Sequence, residues 1–215
     1  MSLHTESTPA PPFFVIVMGV SGTGKTTLGA AIAKELGVPY VEGDGLHPKA
    51  NVDKMASGQP LNDADREPWL ELVRTTAESI IVEQQAQDPS GKKQAHGVVI
   101  SCSALKTYYR EILRGNMKPA SKDTESLPTH LESAHPNVLP TYFVFIEGDK
   151  ELLMDRMTRR VGHYMKANML ESQLDTLEDP TREKGVVAVS SNNTTEEQLE
   201  KAKEFLLARI NEKAS

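Results

Sequence analysis

The feature that most restricts the fold is a glycine-rich turn that follows directly on an apolar run. The run, Phe13–Met18, contains only large apolar residues, which is typical of a strand buried on both faces of a parallel sheet. The turn, Gly19–Thr26, matches the pattern G-x-x-x-x-G-K-[ST] at every fixed position. An alanine-rich segment of helical period, Thr26–Leu36, follows it. A strand, this turn and a helix in that order predict a phosphate-binding site for a nucleotide.

The chemistry of the turn follows from its residue types. Glycines permit a tight turn whose backbone N–H groups point at phosphate oxygens, and the following helix adds its positive N-terminal end. We expect Lys25 to reach the β- and γ-phosphates and the Thr26 hydroxyl to ligate Mg²⁺. The residues expected to bind ATP are Gly19, Ser21, Gly22, Thr23, Gly24, Lys25, Thr26 and Thr27.

The rest of the chain alternates short apolar runs with amphipathic segments. Further strands are predicted at 39–42, 97–101, 141–146 and 185–190. Apolar strands that alternate with helices predict an α/β fold, with a five-stranded parallel sheet flanked by helices. The predicted helices are 26–36, 48–55, 69–87, 105–114, 150–160, 167–177 and 195–211, the last capped by Thr194 or Thr195.

The length of 215 residues predicts a single domain, which we place at 13–215. The polar, proline-bearing start, 1–12, is expected to be a disordered leader. The stretch 115–140 is rich in prolines, serines and acids and has no period. A structureless loop of that length is uncommon inside a compact domain, so we interpret it as a mobile insertion.

Composition excludes several classes of protein. The chain has 24 Lys and Arg against 30 Asp and Glu, a net charge of −6, which argues against nucleic-acid binding by bulk charge. No apolar stretch approaches the roughly 20 residues of a membrane helix, and the start lacks a signal-peptide pattern. A single cysteine forms no intrachain disulfide. A reducing, cytoplasmic location is the simplest interpretation.

Two classes of nucleotide-binding protein fit the remaining sequence poorly. A GTP-binding switch reads guanine with an Asn-Lys-x-Asp segment, which this chain lacks. A motor or ATPase core usually ends an apolar strand with an aspartate for the metal, whereas the strand at 97–101 runs into Cys102 and Ser103. Asp44, at the end of the second strand, is the leading substitute for that acid.

A small-molecule kinase needs a lid that closes over the phosphates and excludes water. Arg156, Arg159 and Arg160 fall on one helix face, and a break at Gly162 follows, next to His163. These residues suit a lid at about 156–168. A solvated basic helix face explains the same spacing equally well.

Several segments together resemble the gluconate kinases (gluconokinases) of the small P-loop type, which are related to shikimate and adenylate kinases. Many kinases share the first segment, and the next three are much more specific to this family. The segments run in the expected order over 14–191. They are Met18–Lys25, Gly43–Pro48, Lys54–Arg66, Pro68–Leu70, Cys102–Lys106 with Tyr109 and Arg110, and Gly162–Tyr164.

The resemblance implies phosphorylation of D-gluconate to 6-phospho-D-gluconate by Mg·ATP, a step that feeds the pentose phosphate pathway. It also implies a P-loop kinase fold with a substrate-binding insert at about 45–68 and a lid. A homodimer, the state of bacterial relatives, stays open. The stretch 115–140 has no counterpart in the compact bacterial pattern.

Two residues are assigned the main contacts with the acceptor substrate. Asp44 is assigned to the reacting hydroxyl, as its orienter or proton acceptor, and also to Mg²⁺. Arg66 is assigned to the gluconate carboxylate, because a guanidinium binds a carboxylate through two parallel hydrogen bonds. The alternative for Arg66 is an ion pair with Asp63 or Glu67.

Further residues are expected to support the transfer. Lys25, Arg156 and Arg160 are assigned to the charge on the transferring phosphate. Trp69 is assigned to packing, and Lys106 and Arg110 either support the site or face a partner subunit. Additional substrate contacts are expected from His47, Lys54, Ser103 and His163.

Two other functions remain open. One is a kinase of another small acceptor, such as shikimate or a nucleoside monophosphate. The segment 45–66 is polar and without aromatic residues, which disfavours a nucleobase. The other is an ATP-binding module without catalysis, against which Lys25, Asp44 and the basic lid count.

Overall fold

The computed structural model describes residues 11–89, 95–118, 139–159 and 166–212. Along these ranges strands and helices alternate. The strands are β1 (Phe13–Met18), β2 (Tyr40–Glu42), β3 (Gly97–Ser101), β4 (Thr141–Glu147) and β5 (Val186–Ser190). The helices are α1 (Lys25–Leu36), α2 (Lys49–Ala56), α3 (Asp63–Gln87), α4 (Thr107–Arg114), α5 (Lys150–Arg159), α6 (Lys166–Thr176) and α7 (Thr195–Glu212).

The five strands form one parallel sheet in the order β2-β3-β1-β4-β5. The predicted α/β fold with a five-stranded parallel sheet flanked by helices is therefore confirmed. The chain leaves β1 toward one edge of the sheet and later returns to build the other edge. Ligands of open α/β sheets bind outside the carboxyl end of the strand where this reversal occurs. The turn after β1 occupies that place.

The central strand β1 explains why its sequence is apolar without alternation. All six of its residues are buried, because helices cover both faces of the sheet. One set of its side chains packs into a core with α3 and α4, and the other set packs into a core with α1 and α7. The first set is Phe14, Ile16 and Met18, and the second is Phe13, Val15 and Val17.

Helix α3 begins at Asp63, so the prediction that this helix starts at Trp69 is wrong. The Asn62 side chain accepts a hydrogen bond from the Asp65 N–H at 2.9 Å, and Asp65 Oδ2 accepts one from the Asn62 N–H at 2.7 Å. This reciprocal cap starts the helix early, and Pro68 is accommodated inside it. Arg66 and Trp69 consequently lie on one rigid element.

The other helix and strand boundaries in the described ranges agree with the predictions to within two residues. Thr194 caps α7, since its hydroxyl accepts a hydrogen bond from the Glu197 N–H at 3.2 Å. None of the helices described is both long enough and apolar enough to cross a membrane. Most of the predicted leader 1–12, most of the predicted insertion 115–140 and the centre of the predicted lid lie outside the described residues.

Candidate functional site

The turn Gly19–Thr26 joins the carboxyl end of β1 to the start of α1. Its three glycines have φ angles of 142°, 85° and 98°, which side chains disfavour. A Cβ atom at Gly19 would lie 2.8 Å from the carbonyl oxygen of Ile146. Thr23 is buried, and its hydroxyl donates to the carbonyl of Val20 at 2.9 Å. Gly19 and Thr23 therefore maintain the shape of the turn.

Lys25 folds back over this turn. Its Nζ donates to the carbonyl oxygen of Val20 at 3.1 Å. Burial lowers the pKa of the Lys25 ammonium, and the nearby carboxylates of Asp44 and Glu42 oppose that shift. A phosphate oxygen is a stronger partner for an ammonium than a carbonyl oxygen. Lys25 is therefore placed to exchange its contact with the turn for a nucleotide phosphate.

Glu42, the last residue of β2, lies next to Thr26. The Thr26 hydroxyl donates to Glu42 Oε2 at 2.7 Å, and the Tyr40 hydroxyl donates to the same oxygen at 2.8 Å. The Ser101 hydroxyl donates to the other carboxylate oxygen. Burial raises the pKa of Glu42, but the hydrogen bonds from Ser101, Thr26 and Tyr40 outweigh it, so the pKa lies below its ordinary value. Glu42 is a carboxylate at neutral pH.

The hydroxyl of Thr26 and the carboxylate of Glu42 fit Mg²⁺. This ion takes hard oxygen ligands and usually combines one or two protein oxygens with waters and substrate phosphates. In the part of the chain that the structure describes, there is no cluster of three or more His, Cys, Asp or Glu side chains that could hold a metal. A metal at this pair would take its remaining ligands from nucleotide and water.

Asp44 lies in a short 3-10 turn, Gly43–Leu46, that follows β2 directly. Gly43 is held between two other elements. A Cβ atom there would lie 2.0 Å from the carbonyl oxygen of Ser101, and its own carbonyl accepts a hydrogen bond from Trp69 Nε1 at 2.8 Å. Strand β3 and helix α3 together therefore fix the position of the backbone from which the exposed Asp44 side chain extends.

His47 stacks on Trp69, with ring centroids 4.0 Å apart and an angle of 16° between the planes. Burial lowers the pKa of His47 to about 4, against the opposing influence of Asp44 and with a contribution from Arg66. His47 is therefore neutral at physiological pH and offers a hydrogen bond rather than a charge. Trp69, which the sequence analysis assigned to packing, is indeed buried, and it also supports both His47 and the turn that carries Asp44.

Arg66 lies on α3 beside Tyr109 of α4. Its guanidinium donates to the Tyr109 hydroxyl at 3.5 Å and lies 5.9 Å from the centre of that ring. Both oxygens of Asp63 accept hydrogen bonds from Lys106 Nζ at 2.8 Å, and one also accepts from the Tyr109 hydroxyl. Hydrogen bonds from Lys106 and Tyr109 lower the pKa of Asp63. Asp63, one of the two alternative partners of Arg66, is thus hydrogen-bonded to other groups.

The loop after β3 carries Ser103 into the site. Arg110 is fully buried beneath this loop and donates to the Ala104 carbonyl at 2.8 Å and to Glu183 Oε1 at 2.9 Å. Arg110 therefore supports the loop, and a side chain so buried cannot face a partner subunit. Burial raises the pKa of Cys102 to about 12, so this residue is an inert thiol.

Four predicted contacts stand apart from the others. Lys54 forms an ion pair with Asp65 at 2.5 Å. Arg156 donates to the Ser191 carbonyl at 2.8 Å, near the end of β5. The roles given to both residues stay predictions. Arg160 and His163 lie outside the described residues.

A cavity of about 500 Å³ joins the phosphate-binding turn to the acceptor residues. Glu42, Trp69 and Gln173, which the sequence analysis did not assign to a site, also line it. The predicted site residues that line it are Ser21, Gly22, Gly24, Lys25, Thr26, Thr27, Asp44, His47, Arg66 and Ser103.

Comparison with known proteins identifies the family. The gluconokinase of Gluconobacter oxydans is 43% identical over 190 residues, which cover 88% of this chain and 89% of its own. The probable gluconokinase of Schizosaccharomyces pombe is 39% identical over 201 residues, 93% of this chain and 91% of its own. The chain belongs to the gluconokinase family. The crystal structure of a gluconokinase from Sinorhizobium meliloti matches with a TM-score of 0.66 and 36% identity, covering 94% of this chain and 96% of that one.

A second match concerns only the phosphate-binding part. The family model for the ATPase family associated with various cellular activities (AAA) matches residues 15–60. That range ends before α3 and β3, whereas the match to the gluconokinases includes them. It therefore supports the nucleotide-binding turn, while the full-length relatives make this chain a P-loop kinase that uses ATP.

Three residues of the site escaped the sequence analysis. Glu42 ends a strand two residues before Asp44, and the rule that polar strand ends gather at one sheet edge would have included it. Tyr109 belongs to a segment of the family resemblance but had no role there. Gln173 contacts Ser21 across 152 residues of sequence, and no local pattern signals such a contact.

Proposed function

We propose that this protein transfers the γ-phosphoryl group of ATP to the primary hydroxyl of D-gluconate, giving 6-phospho-D-gluconate and ADP. The observation that carries the proposal is that one continuous cavity is lined by the phosphate-binding turn and also by Asp44, Arg66 and Ser103. These are an acid, a guanidinium and a hydroxyl, which match a hydroxyl-rich carboxylate. The names of the family's relatives support the same acceptor.

The phosphate side of the cavity binds the nucleotide. Backbone N–H groups of the turn and the N-terminal end of α1 receive the phosphates, and Lys25 moves from the Val20 carbonyl to the β- and γ-phosphates. Thr26 and Glu42 would hold Mg²⁺, with Asp44 kept as a further predicted ligand, and the bound ion would neutralise charge on the phosphates. None of these contacts depends on the acceptor.

The acceptor side orients the sugar acid. Arg66 binds its carboxylate through two parallel hydrogen bonds, and neutral His47 and Ser103 contact its hydroxyl groups. Asp44 accepts the proton of the reacting hydroxyl while the oxygen attacks phosphorus. With both ends of a linear substrate fixed, the hydroxyl lies in line with the γ-phosphate.

A coupled assay for ADP release tests the proposal. We expect strong release from Mg·ATP with D-gluconate and none above background with shikimate, AMP or no acceptor. Asp44→Asn removes the proton acceptor at nearly constant shape and should lower kcat by about 10²- to 10⁴-fold. Asp53→Asn is the matched control, because Asp53 is an exposed residue paired with Lys49 on α2. Equal release with and without acceptor would contradict the proposed function.

The lid, the quaternary state and the location extend this proposal. Arg156, Arg160 and His163 are proposed to close over the phosphates, and a homodimer and a cytoplasmic location are retained as predictions. Light scattering of the purified protein measures the mass of the particle and tests the homodimer.

A further inference from the structure

The phosphate-binding turn receives a side chain from a distant helix. Gln173, on α6, accepts a hydrogen bond from the backbone N–H of Ser21 at 2.7 Å. Both residues line the cavity. The sequence motif of the turn and the proposed acceptor contacts leave Gln173 without a function, although it touches the turn beside the place where phosphates bind.

This contact determines how the Gln173 amide is oriented. A backbone N–H is a donor only, so the atom of the amide that meets Ser21 must be Oε1. The other end of the same amide is then Nε2, which carries two N–H donors. Among the described residues, no hydrogen-bond partner of Nε2 is found. The anchored oxygen therefore leaves two donors beside the turn.

Helix α6 is held firmly where Gln173 lies. Leu170 is fully buried in the core. Just beyond the helix, the Glu178 N–H donates to the Leu105 carbonyl at 2.8 Å, and the Glu178 carboxylate accepts from the Thr107 N–H at 2.7 Å. The helix thus connects the phosphate-binding turn to the loop that carries Ser103. A side chain on such a support is positioned before substrate arrives.

We propose that Gln173 is a further catalytic residue, whose Nε2 donates a hydrogen bond to the phosphoryl group as it passes from ATP to the acceptor. The inference rests on the proposed function for the identity of the acceptor. It does not rest on it for the contact between Nε2 and the phosphoryl group. Ser21 fixes the amide, and Gln173 lines the same cavity as the turn and the acceptor residues. Neutral donors oriented in advance stabilise the charge that spreads over phosphoryl oxygens during transfer.

Two substitutions test the role of Nε2. Gln173→Glu keeps an oxygen for Ser21 but replaces the donors by a negative charge, and Gln173→Met removes both functions at similar size. We expect kcat to fall about 10- to 100-fold in both variants. The KM for gluconate should stay within about threefold of wild type, since Nε2 is proposed to contact the phosphoryl group and not bound gluconate. Gln173 is partly exposed, and the thermal midpoint of each variant verifies folding.

Gln84 provides a matched control. Its Oε1 also accepts from a backbone N–H, that of Gly97, at 2.9 Å, and its Nε2 donates to the Gly97 carbonyl at 3.0 Å. This contact lies at the amino end of β3, whereas the cavity lies at the carboxyl ends of the strands. Gln84→Glu therefore changes the same groups in the same way, and its kcat should equal that of wild type.

Binding of ADP with aluminium fluoride, a mimic of the transferring phosphoryl group, separates this inference from the acceptor assignment. We expect Gln173→Met to weaken that binding at least tenfold while binding of ADP alone is unchanged. If wild type fails to phosphorylate gluconate, the proposed function falls and this binding result still decides the role of Gln173. An unchanged kcat, an effect confined to the KM for gluconate, or tighter ATP binding in Gln173→Met would overturn the inference.

Discussion

The two sides of the cavity are built in different ways. The phosphate side consists mainly of one continuous segment, Gly19–Thr26, whose side chains contact their own turn through Val20. The acceptor side joins the turn after β2, helix α3 and the loop after β3, and Gly43 is held by Ser101 and Trp69. The first side therefore depends on local geometry. The second depends on residues that need not touch substrate.

The largest expected effect comes from the phosphate side. Lys25→Met removes the ammonium that meets the phosphates, and kcat should fall by about 10³-fold or more with any acceptor. The coupled assay at saturating ATP and gluconate measures it. Lys49→Met is the control, since Lys49 is exposed and its ion pair with Asp53 lies within α2. A higher KM for gluconate with an unchanged kcat and an unchanged KM for ATP would contradict the division between the two sides.

Arg66→Lys should change only the acceptor side. A single ammonium replaces a guanidinium that binds a carboxylate through two hydrogen bonds. The KM for gluconate should rise about 10- to 100-fold, while the KM for ATP stays within about twofold of wild type. Initial rates over a grid of both substrates separate these constants. Equal increases in the two KM values would mean that Arg66 serves the nucleotide as well.

Trp69→Phe tests whether Trp69 positions the turn that carries Asp44 through its hydrogen bond to the backbone of Gly43. The variant keeps an aromatic ring for His47 but loses the hydrogen bond from Nε1 to the Gly43 carbonyl. We expect kcat/KM for gluconate to fall about 5- to 10-fold and the free energy of unfolding to drop by about 1 kcal/mol. Unfolding is followed by circular dichroism. Tryptophan fluorescence is unsuitable, because Trp69 is the only tryptophan and the variant has none. Lower stability with unchanged kcat/KM would show that the turn carrying Asp44 does not need this support.

The pH dependence that arises from His47 is expected in stability alone. Its pKa is about 4 in the folded protein and 6.5 ordinarily, so between these values the unfolded chain binds more protons. The free energy of unfolding should therefore decrease as pH falls from 6.5 to 4, by about 1–2 kcal/mol after solvent screening. Urea unfolding at pH 7.5 and pH 5 measures this decrease. His47→Gln should lose that part of it, and identical slopes in both proteins would contradict the shift.

The elements that the sequence predicted well share a local cause. The apolar run Phe13–Met18 marks a doubly covered strand, and the glycines after it predict the turn, because pattern and residue type act within a few positions. The start of α3 was predicted too late because the apolar residues of helical period begin only at Trp69. The cap formed by Asn62 and Asp65 lies further upstream and decides where this helix begins.

The residues of the candidate site also differ in whether a local sequence pattern predicts them. Lys25 and Thr26 were predicted from a motif of eight residues. Asp44 was predicted from its place at the end of a strand, and Arg66 from the ability of a guanidinium to bind a carboxylate. The pairing of Glu42 with Thr26 does not follow from any of these. It requires β2 to pair with β3, so that Ser101 and Tyr40 can hold the carboxylate against the turn.

The amino-acid sequence was sufficient for the fold class and the phosphate-binding turn, because these depend on periodicity and a short motif. Only the tertiary structure decided the strand order, the contacts of Gly43 with Ser101 and Trp69, and the contact between Gln173 and Ser21. Each of these joins residues that are far apart in sequence, and their contact energies appear only when the sheet has brought the carboxyl ends of its strands together.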